Sequence, residues 1–184
     1  NFLMITRGDQ FSDSYSLYIQ SKDVQYASNR IVKSDRKLRY LYKIHEVITP
    51  ENNTNVVVPI DDAFIYDENS EYMETRTNER RKLDLKLLYE ELEEDPDNPR
   101  TLYYLAQTYS CMGEFENTYK WFLKRINHPK EGFLQEKIDA TFEAARTANF
   151  KLNKPWEECE KLYKQAYELD KTRPDSLYFL GIHY

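Results

Sequence analysis

The chain has 184 residues, 40% of them hydrophobic and 32% charged, with a formal net charge of −6. This is the composition of a soluble globular chain rather than a membrane or disordered one, and no run approaches the roughly 20 apolar residues of a transmembrane helix. The acidic balance, with a pI near 5.2, argues against nonspecific nucleic-acid binding.

In chain order, the first part alternates short β-prone runs with turn clusters. Tyr15, Leu17 and Ile19 alternate with Ser16 and Tyr18, and Tyr40, Tyr42 and Ile44 with Leu41, Lys43 and His45. Val56 to Ile60 and Phe64 to Tyr66 are two further runs, set apart by Pro50-Glu51-Asn52-Asn53 and by Asp61-Asp62. Four or five short strands in about 70 residues bury too little surface to stand alone.

Near residue 75 the period becomes helical. Asn78 to Glu94 carries Leu83, Leu87, Leu88 and Leu92 and stops at Asp95-Pro96-Asp97-Asn98-Pro99, a helix terminator and restart. Helices are then expected at Thr101–Cys111, Glu114–Ile126, Phe133–Phe150, Trp156–Leu169 and Asp175–Tyr184, with Gly113 in the first turn and His128 to Gly132 as a loop. The acidic run Glu90 to Asp95 reads as a solvated helix face. So does the basic stretch Arg76 to Lys86, which is interleaved with Leu83 and Leu85. The basic stretch Arg30 to Arg39 is short.

Leu102, Leu105, Ala106, Tyr109, Gly113, Phe115 and Phe122 stand at the offsets of a tetratricopeptide repeat, the 34-residue helix–turn–helix unit. Leu177, Leu180, Gly181 and Tyr184 restart the series, at a distance of two repeats plus seven inserted residues. Large apolar residues at i, i+3 and i+7 form one helix face, and a small residue beside them lets the partner helix approach. The expected organisation is a strand-and-loop region over 1–75 and a helical repeat domain over 76–184. The latter comprises a half-repeat at 76–98, repeats at about 99–132 and 133–173, and a partial repeat at 174–184. Because Asn1 opens the chain and Tyr184 interrupts a pattern, the expectation is a portion of a longer protein.

Cys111 at a helix end and Cys159 inside a helix have no framework spacing, which indicates a reducing, cytoplasmic compartment without a disulfide. Four scattered glycines make no nucleotide-binding loop. No nucleophile elbow, Cys-x-x-Cys or His-Glu-x-x-His spacing occurs.

One succession is more specific. Asn29-Arg30-Ile31-Val32-Lys33 precedes Leu38-Arg39-Tyr40 and Ile44-His45-Glu46-Val47-Ile48; Arg80-Arg81 and Glu94 to Arg100 follow, and then Tyr103 to Tyr109. This order resembles the end of family-2 glycosyltransferases of the GT-A type that carry tetratricopeptide repeats, over about residues 24 to 184. The resemblance implies an α+β portion: the tail of an α/β nucleotide-sugar-binding domain followed by an all-α solenoid of helix pairs. It implies transfer of a sugar from a nucleotide-sugar donor to a protein or glycan hydroxyl, with Mn²⁺ or Mg²⁺ on the donor diphosphate.

On that resemblance His45 is the candidate on the metal or phosphate side, and Glu46 the candidate base or supporting carboxylate on the acceptor side. Arg30, Arg39, Tyr40, Tyr103, Tyr104 and Gln107 are candidate substrate contacts. The donor-binding half with its Asp-x-Asp pair would lie upstream of Asn1, and Ile60-Asp61-Asp62 stands where relatives often show another histidine. If His45 and Glu46 sit on a strand, they face opposite sides. Tyr103 and Gln107 occupy positions where one repeat subclass clamps a terminal carboxylate with Lys and Asn, so that clamp is absent. Tyr103 and Tyr104 would stack on a sugar or peptide, or one of them fills the interhelix core. The alternative function is a non-catalytic repeat scaffold that binds other proteins in its concave groove.

Overall fold

The computed structural model describes residues 6–22, 24–50, 52–68 and 71–184, with side chains from residue 77 onward in the last range. Glu51 of the expected turn cluster and the side chain of Arg76, which opens the second basic stretch, lie outside the described residues. The chain divides into two compact units, Asn1–Arg76 and Thr77–Tyr184. It is an α+β chain with a helical C-terminal part.

In the first unit β1 (Ser14–Gln20) is the middle of a four-stranded sheet. On one side it pairs antiparallel with β2 (Gln25–Val32). On the other, its first half pairs parallel with β5 (Asn55–Val57) and its second half with β6 (Phe64–Tyr66). The remaining strands, β3 (Arg39–Leu41) and β4 (Val47–Thr49), form a separate hairpin with Arg39 opposite Thr49 and Leu41 opposite Val47.

Period-2 alternation puts Tyr15 and Ile19 on one face of β1, where both are buried. Ser14 and Ser16 on the opposite face are buried too, because side chains close over them. Asn55 Oδ1 accepts hydrogen bonds from Ser14, Ser16 and the Asn29 amide, while the Asn55 amide donates to Ser16 Oγ. A buried serine is tolerated only when its hydroxyl is paired in this way.

The second unit is built from α1 (Glu71–Glu94) from Thr77 onward, α2 (Pro99–Cys111), α3 (Phe115–Ile126), α4 (Leu134–Phe150), α5 (Trp156–Leu169) and α6 (Asp175–His183). From α2 onward each helix packs on the next, and α2 also touches α4. Helix α1 starts seven residues earlier than its apolar stripe suggests. No proline or glycine interrupts residues 71–94, so the helix extends past the stripe.

Helix α2 starts where Asn98 caps it, its side chain accepting the Arg100 N–H at 3.0 Å, with Pro99 at the first helical position. It ends at Gly113, φ +76°, with Gly113 N–H donating to Ser110 O and Glu114 N–H to Tyr109 O. That pair of bonds is a Schellman motif, and its left-handed residue favours glycine.

Many of the positions singled out by spacing form the core, whereas Leu83 on α1 and Leu177, Gly181 and Tyr184 at the last helix are exposed. Leu102, Leu105, Ala106 and Tyr109 on α2 and Phe122 on α3 are buried, as are Ile138, Phe142 and Ala145 on α4 and Cys159, Tyr163 and Ala166 on α5. Helix α1 joins through Leu88, which is buried, and through Tyr89, whose hydroxyl lies 2.9 Å from that of Tyr109. Phe179 of α6 stacks on Tyr163 at 5.5 Å.

The seven-residue connection between α3 and α4 is held at several points. Arg125, with no exposed surface, donates through Nη2 to the carbonyls of Glu131 and Phe133. Lys130 pairs with Asp97 at 2.8 Å, and Glu136 pairs with Arg100 at 2.6 Å. Gly132, φ +62°, sits so close to Pro99 that a Cβ there would lie 2.6 Å from the proline ring.

Candidate functional site

The candidates fall into two groups, one in each unit. In the first unit, the run from Tyr40 to Ile48 does not form one continuous strand. It forms β3, a five-residue loop and β4, and His45 and Glu46 lie in the loop. The opposite-face argument for this pair therefore lapses. The turn itself is the reason: Tyr42 and His45 adopt positive φ, +74° and +50°, which no strand accommodates. Ile44 between them is buried and anchors the loop, leaving His45 and Glu46 exposed.

Arg39 and Tyr40 belong to the same hairpin. Arg39 donates to Leu38 O at 2.8 Å, and the Tyr40 side chain is exposed opposite Ile48. Arg30 lies on β2 of the other sheet, exposed at the bulge where Tyr15 pairs with Ile31 and Ser16 with Asn29.

The Mn²⁺ or Mg²⁺ of the resemblance would need several donors around His45. Among the described residues no group of three or more His, Cys, Asp or Glu is placed to hold a metal ion. The Asp-x-Asp pair that the resemblance implies would belong to a part of the protein outside this chain, so His45 would be one donor of a set completed there, and the steps proposed below are those of this chain's own side chains.

In the second unit, α2 and α4 border a cavity of about 490 Å³ lined by Tyr103, Gln107, Ser110 and Cys111 of α2, Phe122 of α3, and Asp139 and Glu143 of α4. Tyr103 and Gln107 are one turn apart, as are Asp139 and Glu143, so each helix presents a short ladder. The Tyr103 ring is buried beside Phe122, centroids 6.2 Å apart, so it fills the interhelix core rather than offering a free face. Its hydroxyl accepts the Gln107 amide at 2.6 Å. Burial pushes the Tyr103 phenol well above its ordinary range, and the charges of Asp139, Glu136 and Glu143 add to the shift. Tyr104 is half-buried with the Arg100 guanidinium 4.5 Å over its ring, so that face is occupied as well.

Asp139 pairs with Arg173, which also holds Asp175 at 3.1 Å, and Glu143 pairs with Arg146 at 2.8 Å. Spacing alone missed Asp139 and Glu143. The available signal was two acidic residues at i, i+4, each following a buried apolar residue, Ile138 and Phe142.

No protein-family model and no curated protein matches this chain. Among the described residues no helix is long and apolar enough to cross a membrane.

Proposed function

We propose that this chain is the C-terminal portion of a glycosyltransferase of the GT-A, family-2 kind, moving a sugar from a nucleotide-sugar donor to a protein or glycan hydroxyl. Its helices are then tetratricopeptide-type pairs that hold the acceptor or a partner. The observation that carries this reading is the tip of the β3–β4 hairpin. His45 and Glu46 are presented to solvent by a loop with two non-glycine residues in the left-handed region. Each such residue costs about 1–2 kcal/mol, and strain of this kind concentrates at functional sites.

In this reading His45 donates an imidazole N–H to the departing diphosphate, where charge develops during transfer. Glu46 accepts the proton of the attacking hydroxyl. Arg39 and Tyr40, on the same hairpin, contact substrate. The order of motifs from Arg30 to Arg100 and the buried repeat positions of α2 to α5 support the same reading.

The test is Glu46→Gln in the full-length protein that contains this chain, assayed for sugar transfer across a pH series. The expected result is a lower rate whose deficit shrinks as pH rises, since hydroxide replaces the missing base. An unchanged rate at every pH would refute the role of Glu46.

A second reading, a repeat scaffold without catalysis, is favoured by the cavity between α2 and α4. It is built from α2, α3 and α4 alone, and it depends on no group from the hairpin.

A further inference from the structure

The cavity between α2 and α4 has an electrostatic character that narrows what it can hold. None of its lining residues is cationic, and two are carboxylates. Each carboxylate has one oxygen engaged: Asp139 Oδ1 by Arg173 and by the Gln135 amide, and Glu143 Oε1 by Arg146. Asp139 Oδ2 and Glu143 Oε2 have no protein partner among the described residues. A carboxylate accepts at both oxygens, so two acceptors one helical turn apart remain open. Burial is the main cause of the raised Tyr103 phenol at the floor of the cavity, and the Asp139 and Glu143 charges add to it.

The same floor holds a donor. Tyr103 is 7% exposed, and its hydroxyl oxygen accepts from Gln107, while among the described residues no acceptor takes its own proton. That proton is available to an acceptor bound in the cavity. The volume of about 490 Å³ lies within the range of ligand pockets, roughly 300–1,000 Å³.

We propose that this cavity binds an extended peptide segment through a Lys or Arg side chain, its cation on Asp139 Oδ2 and Glu143 Oε2 and a peptide carbonyl on the Tyr103 hydroxyl. The alkyl stem then lies along the apolar edges of Tyr103 and Phe122. The polarity is the reverse of a carboxylate clamp: the protein supplies the anions and the peptide the cation. This inference rests on the helical unit being a binding module, and it names the ligand chemistry that the module selects.

Cys111 supplies a built-in reporter. It lines the cavity and is exposed, whereas Cys159, the only other cysteine, has no exposed surface. The whole chain is labelled with a cationic trimethylammonium-ethyl methanethiosulfonate and, separately, with its anionic sulfonatoethyl counterpart. Both rates are normalised to free cysteine. A negative cleft concentrates the cation, so a preference of about tenfold is expected, falling toward unity in Asp139→Asn/Glu143→Gln. Glu143→Gln alone, which leaves the Arg173 pairs intact, serves if the double variant melts early.

Labelling is then repeated with an acetylated, amidated Gly-Ala-Lys-Ala-Lys-Ala-Gly peptide and with its Gln-for-Lys counterpart. The expected result is protection of Cys111 by the lysine peptide only, lost in Glu143→Gln. Equal protection by both peptides would overturn the inference while leaving the binding module standing. Protection by neither would overturn both, and a cation preference of unity in the wild type would overturn the inference.

Discussion

Gly113 and Gly132 form a matched pair in which one energetic cause is shared and a second is not. Both have left-handed backbone, φ +76° and +62°. A Cβ on Gly113 meets nothing within 4 Å, whereas one on Gly132 lies 2.6 Å from Pro99 Cγ and 3.4 Å from Arg125 Nη2. Gly113→Ala should therefore cost only the left-handed conformation, about 1–2 kcal/mol. Gly132→Ala adds overpacking against a buried ring at the first position of α2, about 1–3 kcal/mol, for a total of about 2–5 kcal/mol.

Pro99 cannot easily yield, because Asn98 caps the helix behind it and the loop is pinned by Arg125 and by the Lys130–Asp97 pair. Urea unfolding followed by tryptophan fluorescence reads the helical unit specifically, since Trp121 and Trp156 are the only tryptophans. In thermal melts each kcal/mol corresponds to roughly 4–8 °C in a domain near this size. Equal losses for the two alanine variants, or a smaller loss at Gly132, would refute the packing of the loop on α2. Gly113→Val should exceed Gly113→Ala, because a branched Cβ is worse in this region.

Ala106 has no exposed surface where α2 meets its neighbours, so Ala106→Leu should overpack the interface and cost about 1–3 kcal/mol in the same urea assay; no loss would place the helix contact elsewhere. The Asp9 carboxyl is held well below its usual range by hydrogen bonds from the Ser12 side chain, the Phe11 N–H and the Tyr15 hydroxyl. A depressed carboxylate stabilises above its unfolded value, so this contribution is present above about pH 4 and is lost as pH falls below it. Protection of the β1 amides, taken against the intrinsic exchange rate at each pH, should therefore fall below pH 4 in the wild type and change less in Asp9→Asn; parallel pH profiles would contradict the linkage. Calorimetric titration of the 184-residue chain with UDP-glucose, UDP-N-acetylglucosamine and GDP-mannose should show no micromolar binding, because the proposed donor site belongs to a part of the protein outside this chain. Micromolar binding would show that site to be misplaced.

The helical part was legible because its signals are local. Leu102, Leu105, Ala106 and Tyr109 repeat at helical spacing, and Pro99 and Gly113 mark one helix's ends through their own backbone requirements. The strand part was less legible because three-residue strands carry little period. Residues 40–44 alternate well enough to suggest a strand, yet the turn geometry at Tyr42 and His45 decides otherwise. The Ser14, Ser16, Asn29 and Asn55 network could not be read from spacing, since its members come from three strands whose pairing is nonlocal. Tyr103 and Gln107 were found from repeat positions, whereas Asp139 and Glu143 became visible only when α4 was placed beside α2.

The glycosyltransferase proposal meets its most direct test at His45, with radiolabelled sugar transfer measured for the full-length wild-type protein and for His45→Ala. His45 is exposed at a hairpin tip, and the melting curve of His45→Ala, recorded beside its turnover, separates lost chemistry from lost folding. Losing one donor to the departing diphosphate should lower turnover by about 100-fold or more. A His45→Ala protein that transfers sugar at the wild-type rate, or a wild-type protein that transfers from none of the three nucleotide sugars above, would contradict the proposal and leave the groove between α2 and α4 as the functional site.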